Sequence, residues 1–177
     1  IVFRKREFKG SRFRCLLLTN RRRGEIAELI TDMVQPHASV STEDKWQPRG
    51  FLAPFEAKLE EPNDFLPVKA RVTLTNWWLT SSRRANTPNW DLVSTCKIGN
   101  RSGLILVEAK AHEQEFIDDR CGATNQKNFQ KISSALKEAT QELSYFMPGF
   151  CLSADKFYQL SNRFAFAWKI ASMEIGR

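Results

Sequence analysis

With 177 residues the chain is long enough to build one sizeable core and short for two, and its apolar fraction of 42% is that of a globular protein. No run approaches the roughly 20 apolar residues that cross a bilayer, and four scattered cysteines with two histidines, none in a Cys-x-x-Cys pair, argue against both a zinc site and a disulfide framework. A soluble, cytoplasmic protein with reduced thiols is therefore expected, with a net charge of +7 that is unevenly placed.

Residues 1 to 23 hold nine Lys and Arg against one acid, Glu7, leaving 18 basic and 19 acidic residues for the rest of the chain. This segment reads as a basic arm ahead of a single α/β domain over residues 24 to 177. That domain is expected to be cut short at its C-terminus, because the chain starts at Ile1 rather than Met and stops abruptly at Arg177. A basic cluster suits a phosphate backbone, whose affinity comes from released counterions; a solubilising arm is the plainer alternative. Phe3, Phe8 and Phe13 read as anchors to the core, and Cys15 to Thr19 as a short strand.

Gly24 opens a helix in which Ile26, Leu29, Ile30, Met33 and Val34 recur at helical spacing until Pro36 ends it. Residues 36 to 65 hold no sustained period and read as a loop with one helical turn around Lys58. Val68, Val72, Leu74, Trp77 and Trp78 suggest a second helix between 66 and 80. The polar stretch that follows carries Arg83 and Arg84, which could grip a phosphate or stand as solvated loop charges.

Leu92 to Ile98 and Leu104 to Val107 are β-rich runs, and residues 99 to 103 between them carry turn chemistry, so a β-hairpin is predicted. Alternation on its second strand sets Leu104, Leu106, Glu108, Lys110 and His112 on one face and Ile105, Val107 and Ala109 on the other. Antiparallel pairing returns the end of that strand to the start of the first, so Asp91 should meet Glu108 and Lys110. Beyond the hairpin, residues 113 to 119 are acidic and read as a further carboxylate source or a solvated connection. Two more helices are predicted, over 125 to 147 and from about 155 to 173. On the latter Gln159 and Arg163 lie one turn apart, beside Asn162, and could contact substrate phosphates.

Two carboxylates and an amine at one point suit phosphodiester hydrolysis. A hard cation such as Mg²⁺ takes oxygen ligands and keeps several waters, so Asp91, Glu108 and the backbone carbonyl of Ala109 make a sufficient protein share. Lys110 would hold or deprotonate the attacking water and bring positive charge near the phosphate. The chain also contains Glu56-Ala57-Lys58. That copy shows no apolar strand before it and no hairpin partner, and it reads as a solvated helical turn.

Pro88-Asn89-Trp90-Asp91, followed after a hairpin by Leu106-Val107-Glu108-Ala109-Lys110, resembles the signature of the PD-(D/E)XK nuclease superfamily. The likeness covers the hairpin and the helices around it. It implies a restriction-endonuclease-like α/β fold whose mixed sheet is centred on residues 91 to 110. It also implies a Mg²⁺-dependent nuclease, with Mn²⁺ as a substitute, acting on nucleic acid, DNA rather than RNA. Many members add a Glu from the first helix as a metal ligand, a place that Glu25 or Glu28 would take. Two alternatives stay open: an inactive nucleic-acid-binding module of the same fold, and a protein-interaction domain whose hairpin acids are surface charges.

Overall fold

The computed structural model describes residues 10–80, 86–112 and 120–173. Arg83, Arg84 and the acidic stretch 113–119 lie outside them. Among the described residues the protein is mixed α/β, with five α-helices, one three-stranded antiparallel sheet and one two-stranded antiparallel sheet. No helix among them is long and apolar enough to cross a membrane. The chain forms two compact units, one from residues up to 58 together with 89–111, the other from 59–88 and 112–175.

The first unit begins with α1 (Gly10–Thr19) and α2 (Arg23–Val34). A strand was expected over residues 15 to 19; the segment is helical instead. Its short apolar run cannot by itself distinguish the two states. The buried set, Cys15, Leu16 and Thr19, has the spacing of one helix face, and leucine is at home in a helix. The second helix matches its predicted span, with Ile26, Ala27 and Ile30 buried.

Residues 36 to 65 are more structured than expected. They hold β1 (Trp46–Gln47), a 3₁₀ turn at Gly50–Leu52 and β2 (Ala57–Lys58). The turn fastens α1 to this segment. Gly50 donates its N–H to Thr19 Oγ1 at 3.1 Å and Phe51 to Asn20 Oδ1 at 3.2 Å, while Arg12 Nη2 reaches the carbonyl of Pro54 at 3.3 Å. Gly50 sits at φ +60°, and a Cβ there would lie 2.6 Å from Asn20 Oδ1 and 2.8 Å from Asn20 Cα, so only glycine allows so close an approach.

The hairpin forms as predicted. β4 (Leu92–Ile98) and β5 (Arg101–Val107) pair antiparallel from Leu92 opposite Val107 to Ile98 opposite Arg101. The second strand thus starts three residues earlier than expected, leaving Gly99 and Asn100 as a two-residue turn. Gly99 takes φ +58°, the positive value that the first central position of a tight hairpin turn requires. On the opposite edge of β4, β1 sets Trp46 against Ser94. Leu92, Cys96 and Trp46 then face Ile26, Ala27, Ile30 and Val40, with Ile105 and Val107 packed alongside. Burying this set stabilises the unit by roughly 1.5–3 kcal/mol for each large aliphatic side chain. Arg23 closes the edge by lying 4.2 Å from the Trp46 ring centroid and donating to the carbonyls of Thr42 and Asp44 at 2.8 and 2.6 Å.

The second unit is built from α3 (Val68–Trp78), α4 (Gln126–Phe146) and α5 (Tyr158–Ser172), close to the three helices predicted, although the last starts about three residues later. Asn125 caps α4 by accepting the N–H groups of Lys127 and Asn128. Trp78 packs edge-on against Phe166 with centroids 4.8 Å apart. Trp77 Nε1 and Lys169 Nζ both donate to Glu138, at 2.8 and 2.9 Å, tying the three helices together.

Candidate active site

The site grows from one extended segment, residues 89 to 98, in which β3 (Asn89–Trp90) and β4 are separated only by Asp91. β3 is paired by β2, with Ala57 opposite Trp90 and Lys58 opposite Asn89. β4 is paired by β5, with Leu92 opposite Val107. Continuing each ladder by one position sets Glu56 and Glu108 both opposite Asp91, and residues directly opposite one another carry side chains on one face.

Asp91 is 8% exposed, and its Oδ2 accepts the backbone N–H of Ala109 at 2.8 Å. The bond holds the carboxylate against the strand end that carries Glu108 and Lys110. Burial pushes the Asp91 pKa up; the Ala109 hydrogen bond opposes it, the charges of Glu108 and Glu56 add to the rise, and Lys110 pulls the other way. The raised value records chiefly the poor hydration of the carboxylate, with the two glutamates adding to it. Lys110 Nζ donates to Glu108 Oε1 at 2.6 Å, an ion pair whose side chains are only 12% and 16% exposed.

The same field reaches α1. The Cys15 thiol is buried, and its pKa is raised to about 11 by that burial and then by the charges of Asp91, Glu108 and Glu56. Cys15 on the first helix thus sits in the field of the acids as a neutral, poorly ionisable thiol.

Asp91, Glu108 and Lys110 are therefore brought together, as the hairpin pairing implied. Glu56 joins them, which overturns the sequence reading of Glu56-Ala57-Lys58 as a helical turn without a partner. That tripeptide enters a strand, and Asn89 Nδ2 donates to Glu56 Oε2 at 3.3 Å. The cause is tertiary: a two-residue strand shows no periodicity of its own and forms because β3 pairs with it. The signal that could have found Glu56 is the repetition of Glu-Ala-Lys itself. For Cys15 no signal existed. Glu25 and Glu28 are exposed on α2 and are not among the charges acting on Asp91. His112 is exposed. Gln159 and Arg163 are half-buried on α5 of the second unit, where Arg163 Nη1 donates to Asn162 Oδ1 at 2.6 Å.

The donor chemistry of this cluster suits a hard divalent cation. Carboxylate oxygens of Asp91 and Glu108 are present, and Ala109, whose N–H holds Asp91, lies between Glu108 and Lys110. The side chains are not a preassembled cage, since among the described residues no group of three or more His, Cys, Asp or Glu is placed to hold a metal ion. No family model, curated protein or solved structure matches this chain.

Proposed function

We propose that this protein is a Mg²⁺-dependent nuclease, with Mn²⁺ as a substitute cation, hydrolysing phosphodiester bonds in nucleic acid, DNA rather than RNA. The reading includes a restriction-endonuclease-like fold of the PD-(D/E)XK type and a cytoplasmic setting, in which the four free cysteines stay reduced. The observation that carries it is the meeting of Asp91, Glu108 and Lys110 at the open end of one hairpin, with Asp91 fixed by the Ala109 N–H.

Asp91, Glu108 and the Ala109 carbonyl would hold the cation, which supplies a polarised phosphoryl oxygen and a more acidic bound water. The chain's own residues do the rest. The Ala109 N–H stops the Asp91 carboxylate from rotating away from the strand end. Lys110, kept beside Glu108, orients the water or accepts its proton and offsets charge that builds on the phosphate. Removing Glu108 Oε1 from the Lys110 ammonium frees both groups at once, one for the cation and one for the water.

A second reading, an inactive nucleic-acid-binding module, is favoured by one feature: the Glu108–Lys110 ion pair already satisfies both partners. Incubating the purified protein with DNA and RNA in Mg²⁺, Mn²⁺ or EDTA separates the two. Cleavage in either metal that EDTA abolishes is the expected result. A folded protein that binds nucleic acid, binds no Mn²⁺ and cuts nothing would transfer the assignment to the binding module.

A further inference from the structure

An acidic pocket repels the polyanion that a nuclease must hold, so the strand needs positive charge close beside it. Five arginines fall between Gly10 and Arg23 with no acid among them, the next being Glu25. The structure divides these five into two kinds. Arg12 is tied to the Pro54 carbonyl, and Arg23 is stacked on Trp46 and tied to the carbonyls of Thr42 and Asp44. The side chains of Arg14, Arg21 and Arg22 are exposed and take part in no hydrogen bond or ion pair among the described residues.

We propose that Arg14, Arg21 and Arg22 form a rail that holds the phosphate backbone of a nucleic acid alongside the acidic pocket. The proposal rests on the nucleic-acid reading above and names the surface on which that partner lies. Two further facts support the placement. Arg14 stands on the helix whose Arg12 reaches the carbonyl of Pro54, two residues before Glu56, so the helix that displays Arg14 is fastened to the segment that enters the acidic cluster. A surface shaped only for solubility intersperses both signs, and this one carries one sign over fourteen residues.

The test compares the wild type with the triple variant Arg14→Gln, Arg21→Gln, Arg22→Gln and with the single variants Arg12→Gln and Arg23→Gln. Binding to labelled DNA and RNA oligonucleotides is followed across salt concentrations, with phosphatidylserine vesicles as a separate arm. Each phosphate contact contributes about 0.9 to the slope of log K against log salt for duplex DNA and about 0.7 for a single strand. The triple variant should lose about 2 to 3 from that slope and keep the wild-type melting temperature. Arg23→Gln should lower the melting temperature and change the slope by less than one, because its cation is engaged internally. An unchanged slope in the triple variant overturns the rail and leaves the nuclease reading standing. A reduced slope in a protein that cuts nothing keeps the rail and removes the nuclease reading. Binding to the vesicles without binding to either oligonucleotide overturns the rail in favour of a lipid surface.

Discussion

The tripeptide Glu-Ala-Lys occurs twice in the first unit, and its copies approach the same aspartate from the ends of two different strands. At Glu108 the acid is paired with its own lysine, two residues on, and the intervening Ala109 N–H holds Asp91. At Glu56 the acid takes its hydrogen bond from Asn89 instead, and β2 runs on to pair Lys58 with Asn89. Identical residues thus acquire different chemistry from their strand partners. One copy presents its acid ion-paired to its own lysine; the other presents its acid bonded by Asn89. The lesson is that a short motif is a supply of functional groups, and pairing decides which of them reach the site.

The largest effect that could break this comparison comes from Asp91 itself, the residue both copies share. Asp91→Ala and Glu108→Ala should each abolish metal-dependent cleavage and weaken Mn²⁺ binding beyond detection by calorimetry, because one carboxylate is a poor match for a strongly hydrated ion. Glu56→Ala should leave measurable cleavage. If Glu56→Ala were as damaging as Glu108→Ala, and Glu108→Ala as mild as expected for Glu56, the two copies would have to exchange roles.

The lysines provide the next test. Lys110→Met should reduce turnover by about 10²–10⁴-fold, the usual scale of general acid–base assistance, with nucleic-acid affinity nearly unchanged. It also removes the Glu108–Lys110 ion pair from a poorly hydrated place, so the melting temperature should fall and assays belong well below it. Lys58→Met should change turnover less than twofold. Single-turnover rates on one substrate, with both variants checked by circular dichroism, decide the matter. Equal losses would show that position on β5 confers nothing special.

How legible was this arrangement in the sequence? The hairpin was, because Gly99 and Asn100 mark the turn and the apolar runs on either side alternate correctly for a half-buried pair. Its pairing brings Asp91, Glu108 and Lys110 together by arithmetic alone. The long helices of the second unit were equally plain, since their apolar spacing repeats over many turns and Asn125 announces the start of one of them. Residues 15 to 19 were not, because three consecutive leucines fit a buried strand as well as a helix, and only packing against the 50–54 segment decides. β1 and β2 were invisible for a related reason. Two residues cannot display a period, and each exists only where the extended 89–98 segment lies beside it. Glu56 was lost with β2, and Cys15 with α1.

The smallest effects concern stability and its dependence on pH, and they carry a definite sign. Asp91 has its pKa raised by burial, partly opposed by the Ala109 N–H and reinforced by Glu108 and Glu56. Above the ordinary aspartate value the folded protein therefore binds more protons than the unfolded chain, so this group's contribution lowers stability as pH rises through the folded pKa. The whole penalty is present once the pH lies above the folded pKa. Asp91→Asn keeps an oxygen for the Ala109 N–H and removes the charge. In EDTA it should melt a few degrees higher than the wild type, the scale on which about 1 kcal/mol moves a chain of this size. The gap should close at pH values below the ordinary aspartate pKa, where Asp91 is protonated whether folded or not. Glu56→Gln removes one of the two like charges and leaves Asp91 in place, so its gain should have the same sign and be smaller. Adding Mg²⁺ should then raise the melting temperature of the wild type and of Glu56→Gln but not that of Asp91→Asn, since only the first two retain both Asp91 and Glu108. Scanning fluorimetry of the three proteins at two pH values, with and without Mg²⁺, reads all of this. If Glu56→Gln gains as much as Asp91→Asn and loses its response to Mg²⁺, Glu56 belongs with Glu108 as a holder of the cation, and the two Glu-Ala-Lys copies are functional equals.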